Sequence, residues 1–213
     1  MNPWYFTVYH FTRLIAKVCF RFRCIHPERV IQEGPVILAM NHQSYLDPPL
    51  AGIGCKRAIY FLARKTLFDQ PFLGWLLPKL NVIPVDQEGN DLAALKALIR
   101  TLRQNHGVLV FPEGSRSPDG NLQPAEPGIG FVIAKTLAPV VPMRIFGAHT
   151  ALPRGSSRLR FCPITIVVGE PLRFTDADRQ GPNREVYRRL SQQVMDAIAR
   201  LQLPSSQAAP QCR

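Results

Sequence analysis

The sequence predicts an α/β fold: a single domain whose mixed, mostly parallel sheet is flanked by helices and preceded by an amphipathic helical segment. Three observations support this class. Short apolar runs typical of buried strands alternate along the chain with longer segments of helical periodicity. The 213 residues, 46% of them hydrophobic, suit one domain with a substantial core. No internal repeat or low-complexity tract divides the chain.

Residues 1–28 form the first predicted element, a helical segment rich in aromatic side chains. A basic stripe at helical spacing runs through residues 4–22 and comprises His10, Arg13, Lys17 and Arg21. Aromatic residues on one side of a helix and cations on another are typical of the membrane interface, and packing against the core is the alternative. Because cations interrupt the apolar run, we expect neither a signal peptide nor a transmembrane helix, and we predict docking at a membrane surface.

The remaining elements occupy residues 29–203, which we predict to be the main domain. The predicted strands cover residues 36–40, 58–62, 82–85, 108–111, 140–146 and 161–168. The predicted helices lie at residues 92–102, 129–137 and 186–198, and an apolar segment broken by proline and glycine lies at residues 67–78. The polar tail, residues 204–213, is predicted to be disordered.

The formal net charge of +11 indicates anionic partners, which include nucleic acid, an acidic membrane surface and phosphate-bearing substrates. The basic residues match no helix-turn-helix, zinc-finger or RNA-binding signature, so we expect no nucleic-acid partner. The five cysteines are scattered and show no paired short spacing. This pattern argues against a zinc site and favours a reducing compartment.

The first candidate site segment follows the predicted strand at 36–40 and contains His42 and Asp47. It lies at the carboxyl end of that strand, where open α/β sheets usually place their sites. Side chains five residues apart on a regular helix point roughly 140° away from each other, so these two meet only if a turn folds the segment back. A carboxylate bonded to one ring nitrogen leaves the other free to accept a proton from an alcohol. Alternatively, Asp47 only caps a helix that begins with Pro48.

The second candidate segment, residues 111–117, follows the predicted strand at 108–111 and contains an acid, a glycine, two hydroxyls and an arginine. Gly114 allows the backbone to approach a ligand closely. Arg116 offers a planar fork of donors that suits phosphate. The alternative is a surface turn with a solvated arginine.

Both segments resemble motifs of the glycerolipid acyltransferase family. NHQSYLD at residues 41–47 is similar to the family's NHxxxxD motif, and FPEGSRS at residues 111–117 is similar to its FPEGTRS motif. Ser115 keeps the hydroxyl of the usual threonine. The motifs follow in the family's order at about its spacing, and together they are a specific signal. The similarity extends over about residues 30–175, including a second block at residues 63–86.

The resemblance implies roles for these residues. His42 would act as the general base, and Asp47 would hold its ring. The residues implied to bind substrate are Lys65, Glu113, Gly114, Ser115 and Arg116. Arg116 and Lys65 would hold the anionic head group of the acceptor, and Glu113 would bind the acceptor hydroxyl or position the arginine. Main-chain N–H groups near Gly114 or in the His42 turn would stabilise the oxyanion.

The reaction implied by the resemblance moves a fatty acyl group from acyl-CoA or acyl-carrier protein to the sn-2 hydroxyl of 1-acyl-glycerol-3-phosphate, giving phosphatidic acid. It needs no metal and no further cofactor. The enzyme would lie peripherally on the cytoplasmic face of a membrane, where an anionic lysolipid reaches it in the plane of the bilayer.

Two positions depart from the family pattern. Gln87 stands where an arginine usually contacts the acceptor phosphate, and Asn81 replaces a frequent glycine. Because a neutral amide lacks the charge-assisted contribution, the alternative acceptor is another lysolipid, either a lyso-amino-lipid or a lysophospholipid being remodelled. A non-catalytic basic module that binds membrane or nucleic acid is the second alternative. The sequence leaves open the chain length, the donor and the oligomeric state.

Overall fold

The computed structural model describes residues 2–85 and 91–204, without the side chain of residue 91. The helices are α1 (Pro3–Phe20), α2 (Asp47–Gly54), α3 (Pro71–Leu76), α4 (Asp91–Arg103), α5 (Pro127–Thr136), α6 (Ala148–Ala151) and α7 (Asn183–Arg200). The strands are β1 (Arg23–Ile25), β2 (Val36–Met40), β3 (Ile59–Arg64), β4 (Val82–Val85), β5 (Gly107–Val110), β6 (Val140–Phe146) and β7 (Thr165–Val168).

The strands form one sheet in the order β1-β7-β6-β2-β5-β3-β4. Each neighbouring pair along β6-β2-β5-β3-β4 is parallel. Strands β6 and β7 pair antiparallel, and β1 runs parallel to β7. The α/β class and the mixed, mostly parallel sheet are therefore confirmed. Strand β2 is central and buried along its whole length, so the chain that leaves its carboxyl end emerges between two other strands, β5 and β6.

Helices cover both faces of the sheet and give the protein two apolar cores. Successive side chains of a strand point to opposite faces. Accordingly Val36, Leu38 and Met40 of β2 pack in the core that includes residues of α1 and α2. Ile37 and Ala39 pack in the core formed with α4, α5 and α7. Both faces of β2 are thus apolar, as expected for a parallel strand covered on each side.

Most elements predicted from the sequence are present, with differences at the first and last strands. Strand β1 was not predicted; it lies within the segment 1–28 and joins the sheet edge beside β7. Strand β7 is shorter than the predicted strand at 161–168. Ile164 instead bonds to the end of α1 and the start of β1. Its N–H donates to Phe20 O at 2.9 Å, and its carbonyl accepts from Arg23 N–H at 3.1 Å.

Asn81, which stands where the resembled family often has glycine, has a φ angle of +60°. Glycine and asparagine are the residues that adopt this left-handed conformation most readily. The local backbone therefore explains why either residue fits at this position.

Helix α1 has two apolar faces rather than one. At ~100° per residue, the buried side chains fall together on one side of the helix, and this inner face comprises Tyr5, Tyr9, Ala16 and Phe20. The opposite, exposed face comprises Trp4, Phe11, Leu14, Ile15 and Val18. The alternative of core packing is thus correct for the inner face. The membrane role of the segment stays a prediction that concerns the outer face.

The inner face attaches α1 to the domain through polar as well as apolar contacts. The N–H of Ile59, the first residue of β3, donates to Tyr5 Oη at 3.3 Å. Burial raises the pKa of this phenol to about 12, so it stays neutral. At the start of the helix, Asn2 caps α1 by accepting from Tyr5 N–H and donates to Lys79 O at 2.9 Å. Helix α1 is therefore fixed to the sheet and to the segment after α3.

Over residues 2–85 and 91–204, no helix combines the length and the hydropathy required to cross a bilayer.

Candidate active site

The two motif segments meet at the carboxyl ends of adjacent strands. His42 follows β2 and Phe111 follows β5, and the two strands pair in parallel register with Ala39 opposite Val110. A main-chain bond joins the segments directly, because Ser117 N–H donates to His42 O at 2.8 Å. The two segments therefore lie together at the carboxyl ends of two central strands, as the sequence predicted.

Asn41 fixes the start of the first loop. Its buried side chain accepts from Ile145 N–H at 2.8 Å and donates to Ile145 O at 3.3 Å. The amide thus replaces a main-chain partner for β6 just beyond the end of β2. This contact sets the direction in which the chain leaves the sheet and so positions the next residue, His42.

His42 and Asp47 are in contact. The distance between His42 Nδ1 and Asp47 Oδ2 is 2.8 Å. A carboxylate acceptor on Nδ1 places the ring proton there and leaves Nε2 as the basic nitrogen. The side chain of His42 is 17% exposed, whereas that of Asp47 is fully buried, so the ring can be reached from outside while its partner cannot.

The carboxylate of Asp47 also organises the turn. Its Oδ2 accepts from Gln43 N–H at 2.6 Å and from Ser44 N–H at 2.7 Å. These bonds fold the chain back between His42 and Asp47, as their meeting required. Asp47 is the first residue of α2, with Leu46 at the cap position. Asp47 is therefore not the N-cap residue of α2, and the capping alternative is wrong. Its side chain instead bonds to the ring of His42 and to the main chain of the loop.

The second segment supports the histidine ring from one side. The rings of His42 and Phe111 stack with centroids 3.9 Å apart and planes 14° from parallel. Flat contact with a phenyl ring restricts rotation of the imidazole. The ring of His42 is therefore held by a carboxylate at its edge and by an aromatic face.

Glu113 contacts the main chain of the His42 loop. Its Oε1 accepts from His42 N–H at 3.3 Å, and the residue is 5% exposed. Burial raises the pKa of this carboxyl to about 7; the His42 N–H opposes the shift and the Asp47 charge adds to it. The structure thus assigns Glu113 a contact with the main chain of His42 that the sequence did not predict.

Gly114 and Ser115 form the exposed tip of the second segment. Gly114 has a φ angle of +68°, and an added Cβ would lie 3.1 Å from Glu126 Cγ. Its N–H donates to Phe111 O at 3.0 Å and closes the turn. The backbone conformation therefore favours glycine here, and an added Cβ would also require the side chain of Glu126 to shift.

Arg116 packs on the first loop. Its guanidinium carbon lies 3.5 Å from the centre of the Tyr45 ring, and Tyr45 itself is exposed. Atom Nη1 of Arg116 is buried without a hydrogen-bond partner. The carbonyl of Arg116 accepts from Arg154 Nη1 at 2.9 Å. Neither Tyr45 nor Arg154 was singled out from the sequence, because neither has a role in the quoted motif patterns.

Lys65 lies at the carboxyl end of β3, at the same end of the parallel strands as the two loops. It begins the turn Lys65–Leu67 directly after β3, whose neighbour is β5, and it is exposed. Gln87, the departure from the family pattern, lies outside the described residues. Within residues 2–85 and 92–204, no three His, Cys, Asp or Glu side chains are grouped as metal ligands.

Comparisons with known proteins identify the family to which this chain belongs. Residues 21–146 match the family model described as Acyltransferase. The chain belongs to this family. The matched part of the acyltransferase domain begins just before β1, ends with β6 and contains both loops of the site.

Among characterised relatives, the acyltransferase resembles 1-acyl-sn-glycerol-3-phosphate acyltransferase BAT2 from Brassica napus, with 30% identity over 148 residues, 68% of this chain and 42% of the relative. The enzyme of the same name from Bacillus subtilis is 25% identical over 79% of this chain and 84% of the relative. The chain spans about half the length of several plant relatives, or less.

Among solved structures, the chain resembles the 1-acyl-sn-glycerophosphate (LPA) acyltransferase PlsC from Thermotoga maritima. The TM-score is 0.70 at 25% identity, and the match covers 93% of this chain and 81% of that chain. The α/β fold and the family that the motifs indicated are thereby confirmed. The roles of the individual site residues stay predictions.

Proposed function

We propose that this protein is an O-acyltransferase that acylates the sn-2 hydroxyl of 1-acyl-glycerol-3-phosphate, using acyl-CoA or acyl-carrier protein as donor and giving phosphatidic acid. The observation that carries the proposal is the 2.8 Å contact between His42 Nδ1 and Asp47 Oδ2. It leaves Nε2 as an accessible base supported by a buried carboxylate. Such an arrangement suits deprotonation of an alcohol.

In the proposed reaction, Nε2 of His42 takes the proton of the acceptor hydroxyl as its oxygen attacks the thioester carbonyl. Asp47 stabilises the imidazolium that forms. When the tetrahedral intermediate collapses, the carbon–sulfur bond breaks and the proton passes from His42 to the leaving thiolate. General base catalysis of this kind contributes about 10² to 10⁴ in rate.

Main-chain N–H groups of the second segment are the best candidates for the oxyanion site. In the His42 turn, the N–H groups of Gln43 and Ser44 already donate to Asp47. Within the described chain, the N–H groups of Ser115 and Arg116 have no hydrogen-bond partner. Unpaired donors on a fixed turn can be directed at a developing negative charge. We therefore assign the oxyanion to Ser115 and Arg116.

The proposal is tested by comparing the native protein with His42→Ala and with His106→Ala as a matched control. His106 is a second partly buried histidine whose ring contacts Tyr60, before the amino end of β5. Acyl transfer should fall by at least about 10²-fold in His42→Ala, because the base is lost, and stay near native in His106→Ala. Release of free thiol and formation of diacyl product measure the rate.

The same assay, run over several donors and acceptors, tests the substrate. We expect 1-acyl-glycerol-3-phosphate to be the preferred acceptor. If it is inert while another lysolipid is acylated, the alternative acceptor motivated by Gln87 is correct. If His42→Ala transfers acyl groups at the native rate, or no acceptor is acylated at all, the catalytic proposal is wrong and a binding module is the better description.

We further propose that an outer apolar surface places the enzyme on an anionic membrane. This surface comprises Trp4, Phe11, Leu14, Ile15 and Val18 of α1 and Phe72 and Trp75 of α3, all largely exposed. The two helices join through Trp4 and Trp75, whose ring centroids are 4.9 Å apart. Lys79 lies over both rings, 3.5 Å from the centre of Trp75 and 5.5 Å from that of Trp4.

Exposed aromatic groups with a cation beside them suit the headgroup region of a bilayer. Each Lys or Arg near an anionic surface adds about 1 kcal/mol of attraction. We therefore expect the native protein to cosediment with vesicles containing anionic lipid, and to bind less to purely zwitterionic vesicles. If the protein cosediments with neither kind of vesicle, the proposed membrane location is wrong.

A further inference from the structure

Two arginines from distant parts of the chain meet beside the His42 loop. Arg116 belongs to the second motif segment, and Arg154 lies in the turn after α6. Arg154 Nη1 donates to Arg116 O at 2.9 Å, so its guanidinium lies against the main chain of the motif. The Arg116 guanidinium stacks on Tyr45, which lies three residues after His42.

The turn that carries Arg154 is fixed to the catalytic loop. Ser44 Oγ, from the His42 turn, donates to Leu152 O at 2.8 Å. Arg160 N–H donates to Ala151 O at 2.8 Å and closes the segment on itself. The turn that carries Arg154 is therefore held through the Ser44 bond to Leu152 O, and the side chain of Arg154 is held by the carbonyl of Arg116. The position of its exposed guanidinium is set by both loops of the site.

No acidic group neutralises this pair in the part of the chain that the structure describes. The ion pairs of other arginines lie elsewhere, at Arg29 with Glu170 and at Arg179 with Asp176. One donor of Arg116, Nη1, is buried and has no partner. Within the described residues, the two arginines therefore bring positive charge without an ion-pair partner to this part of the site.

We propose that Arg154 is the second cation of a phosphate-monoester subsite that Arg116 and Tyr45 complete beside His42. A phosphate monoester carries about −1.5 to −2 charges at neutral pH and three acceptor oxygens, which matches two guanidiniums. Tyr45 holds the plane of one guanidinium, and Arg116 O holds the other. The inference rests on the proposed function and adds to it a residue outside both motifs. Arg154 would also supply a positive charge, which the neutral side chain of Gln87 does not.

Two substrates of the proposed reaction carry this chemistry. The phosphate of 1-acyl-glycerol-3-phosphate is a monoester, and so is the 3′-phosphate of CoA. The experiment therefore varies each phosphate separately. The acceptor arm compares 1-acyl-glycerol-3-phosphate with monoacylglycerol, and the donor arm compares acyl-CoA with acyl-dephospho-CoA, which lacks the 3′-phosphate.

The variants are Arg154→Ala, Arg154→Lys and the matched control Arg158→Ala, which removes an exposed arginine from the same segment. Losing one charge-assisted contact should raise KM for the phosphate-bearing substrate roughly 10- to 100-fold. KM for its partner lacking the phosphate should not change. Arg154→Lys should recover part of the loss, since it keeps the charge without the fork. Arg158→Ala should behave as native.

Each outcome has a defined meaning. An effect confined to the acceptor arm assigns the subsite to the lysolipid head group, and an effect confined to the donor arm assigns it to CoA. An equal loss with and without the phosphate, or native kinetics in Arg154→Ala, overturns the inference. If the native protein acylates no lysolipid, the proposed function fails instead. The subsite is then tested by direct binding, where CoA should bind Arg154→Ala more weakly than native protein, with dephospho-CoA as reference.

Discussion

The His42 loop and the outer apolar surface differ in the burial and the chemistry of their side chains. In the loop at residues 41–47, the fully buried carboxylate of Asp47 accepts from His42 Nδ1 and from two main-chain N–H groups. On the outer apolar surface, large side chains of α1 and α3 are largely exposed, and Phe11 and Phe72 are 64% and 68% exposed. Among the described residues, the first region is thus organised around a buried carboxylate, whereas the second presents exposed apolar side chains.

The proposed function divides the work between the two regions. Proton transfer needs fixed distances, so the loop is held by many polar contacts. Docking on a fluid bilayer needs apolar area and charge rather than a single geometry. Substitutions in one region should therefore leave the other function intact.

The largest effect should come from Asp47→Asn. An amide facing Nδ1 donates instead of accepting, which moves the ring proton to Nε2 and removes the base. We expect kcat to fall about 10³- to 10⁴-fold, the scale seen when the carboxylate of a comparable histidine is neutralised. Steady-state kinetics measure the loss, and vesicle binding should not change.

The matched control is Asp119→Asn, since Asp119 is an exposed carboxylate on the loop beyond Ser117. It should keep near-native activity. A loss of less than about tenfold in Asp47→Asn would mean that the ring is oriented by other contacts, such as the stack on Phe111, and would weaken the base assignment.

A smaller effect should follow from the double variant Phe11→Ala, Phe72→Ala. At about 1 kcal/mol for each partly buried ring, affinity for anionic vesicles should fall ~30-fold. Acyl transfer to a short-chain acceptor in solution should stay native. Vesicle cosedimentation and the soluble assay together measure this separation.

Leu92→Ala is the control for that variant, because Leu92 is an exposed apolar residue of α4, which lies on the other face of the sheet from α1. Its vesicle affinity should match the native protein. If both variants bind vesicles equally well, the outer apolar surface does not dock on lipid, and the contrast between the two regions loses its functional meaning.

The smallest effect concerns Glu113 and the pH dependence of stability. Burial raises the pKa of this carboxyl from 4.5 to about 7, so the folded protein favours the neutral form. The stability that the neutral carboxyl contributes is present below pH 4.5 and is lost as the pH rises through about 7. Between pH 5 and 8, the urea midpoint of native protein should therefore fall more than that of Glu113→Gln.

Glutamine keeps an acceptor for His42 N–H but cannot ionise, which isolates the effect of charge. Glu126→Gln, on the exposed stretch before α5, should retain the native pH dependence. Identical slopes in native protein and Glu113→Gln would show that the buried carboxyl does not ionise over this range.

The sequence predicted the central strands and the contact between His42 and Asp47, because buried strands have continuous apolar runs and the motif needs only a local turn. Strand β1 was missed because its three residues are too few to show a period. Arg154 was missed for another reason. Its contact with Arg116 spans 38 residues and depends on how the chain returns after α6, which no local pattern encodes.

Helix α1 shows the same limit. Its basic stripe and apolar content were evident in the sequence, but the division into inner and outer faces depends on burial against the sheet. The apolar positions of the two faces look alike in composition. Only the packing distinguishes side chains that belong to the core from those that are exposed.

The attachment of α1 through Tyr5 and Asn2 has a mechanical consequence for an enzyme that works on lipid. A helix joined to the domain by a flexible linker would leave the orientation of the domain on the bilayer undefined. Helix α1 is instead bonded to β3 and to Lys79, so it should move together with the sheet. Under the proposed docking, the depth of α1 in the bilayer would set the height and tilt at which the imidazole meets the lipid headgroups.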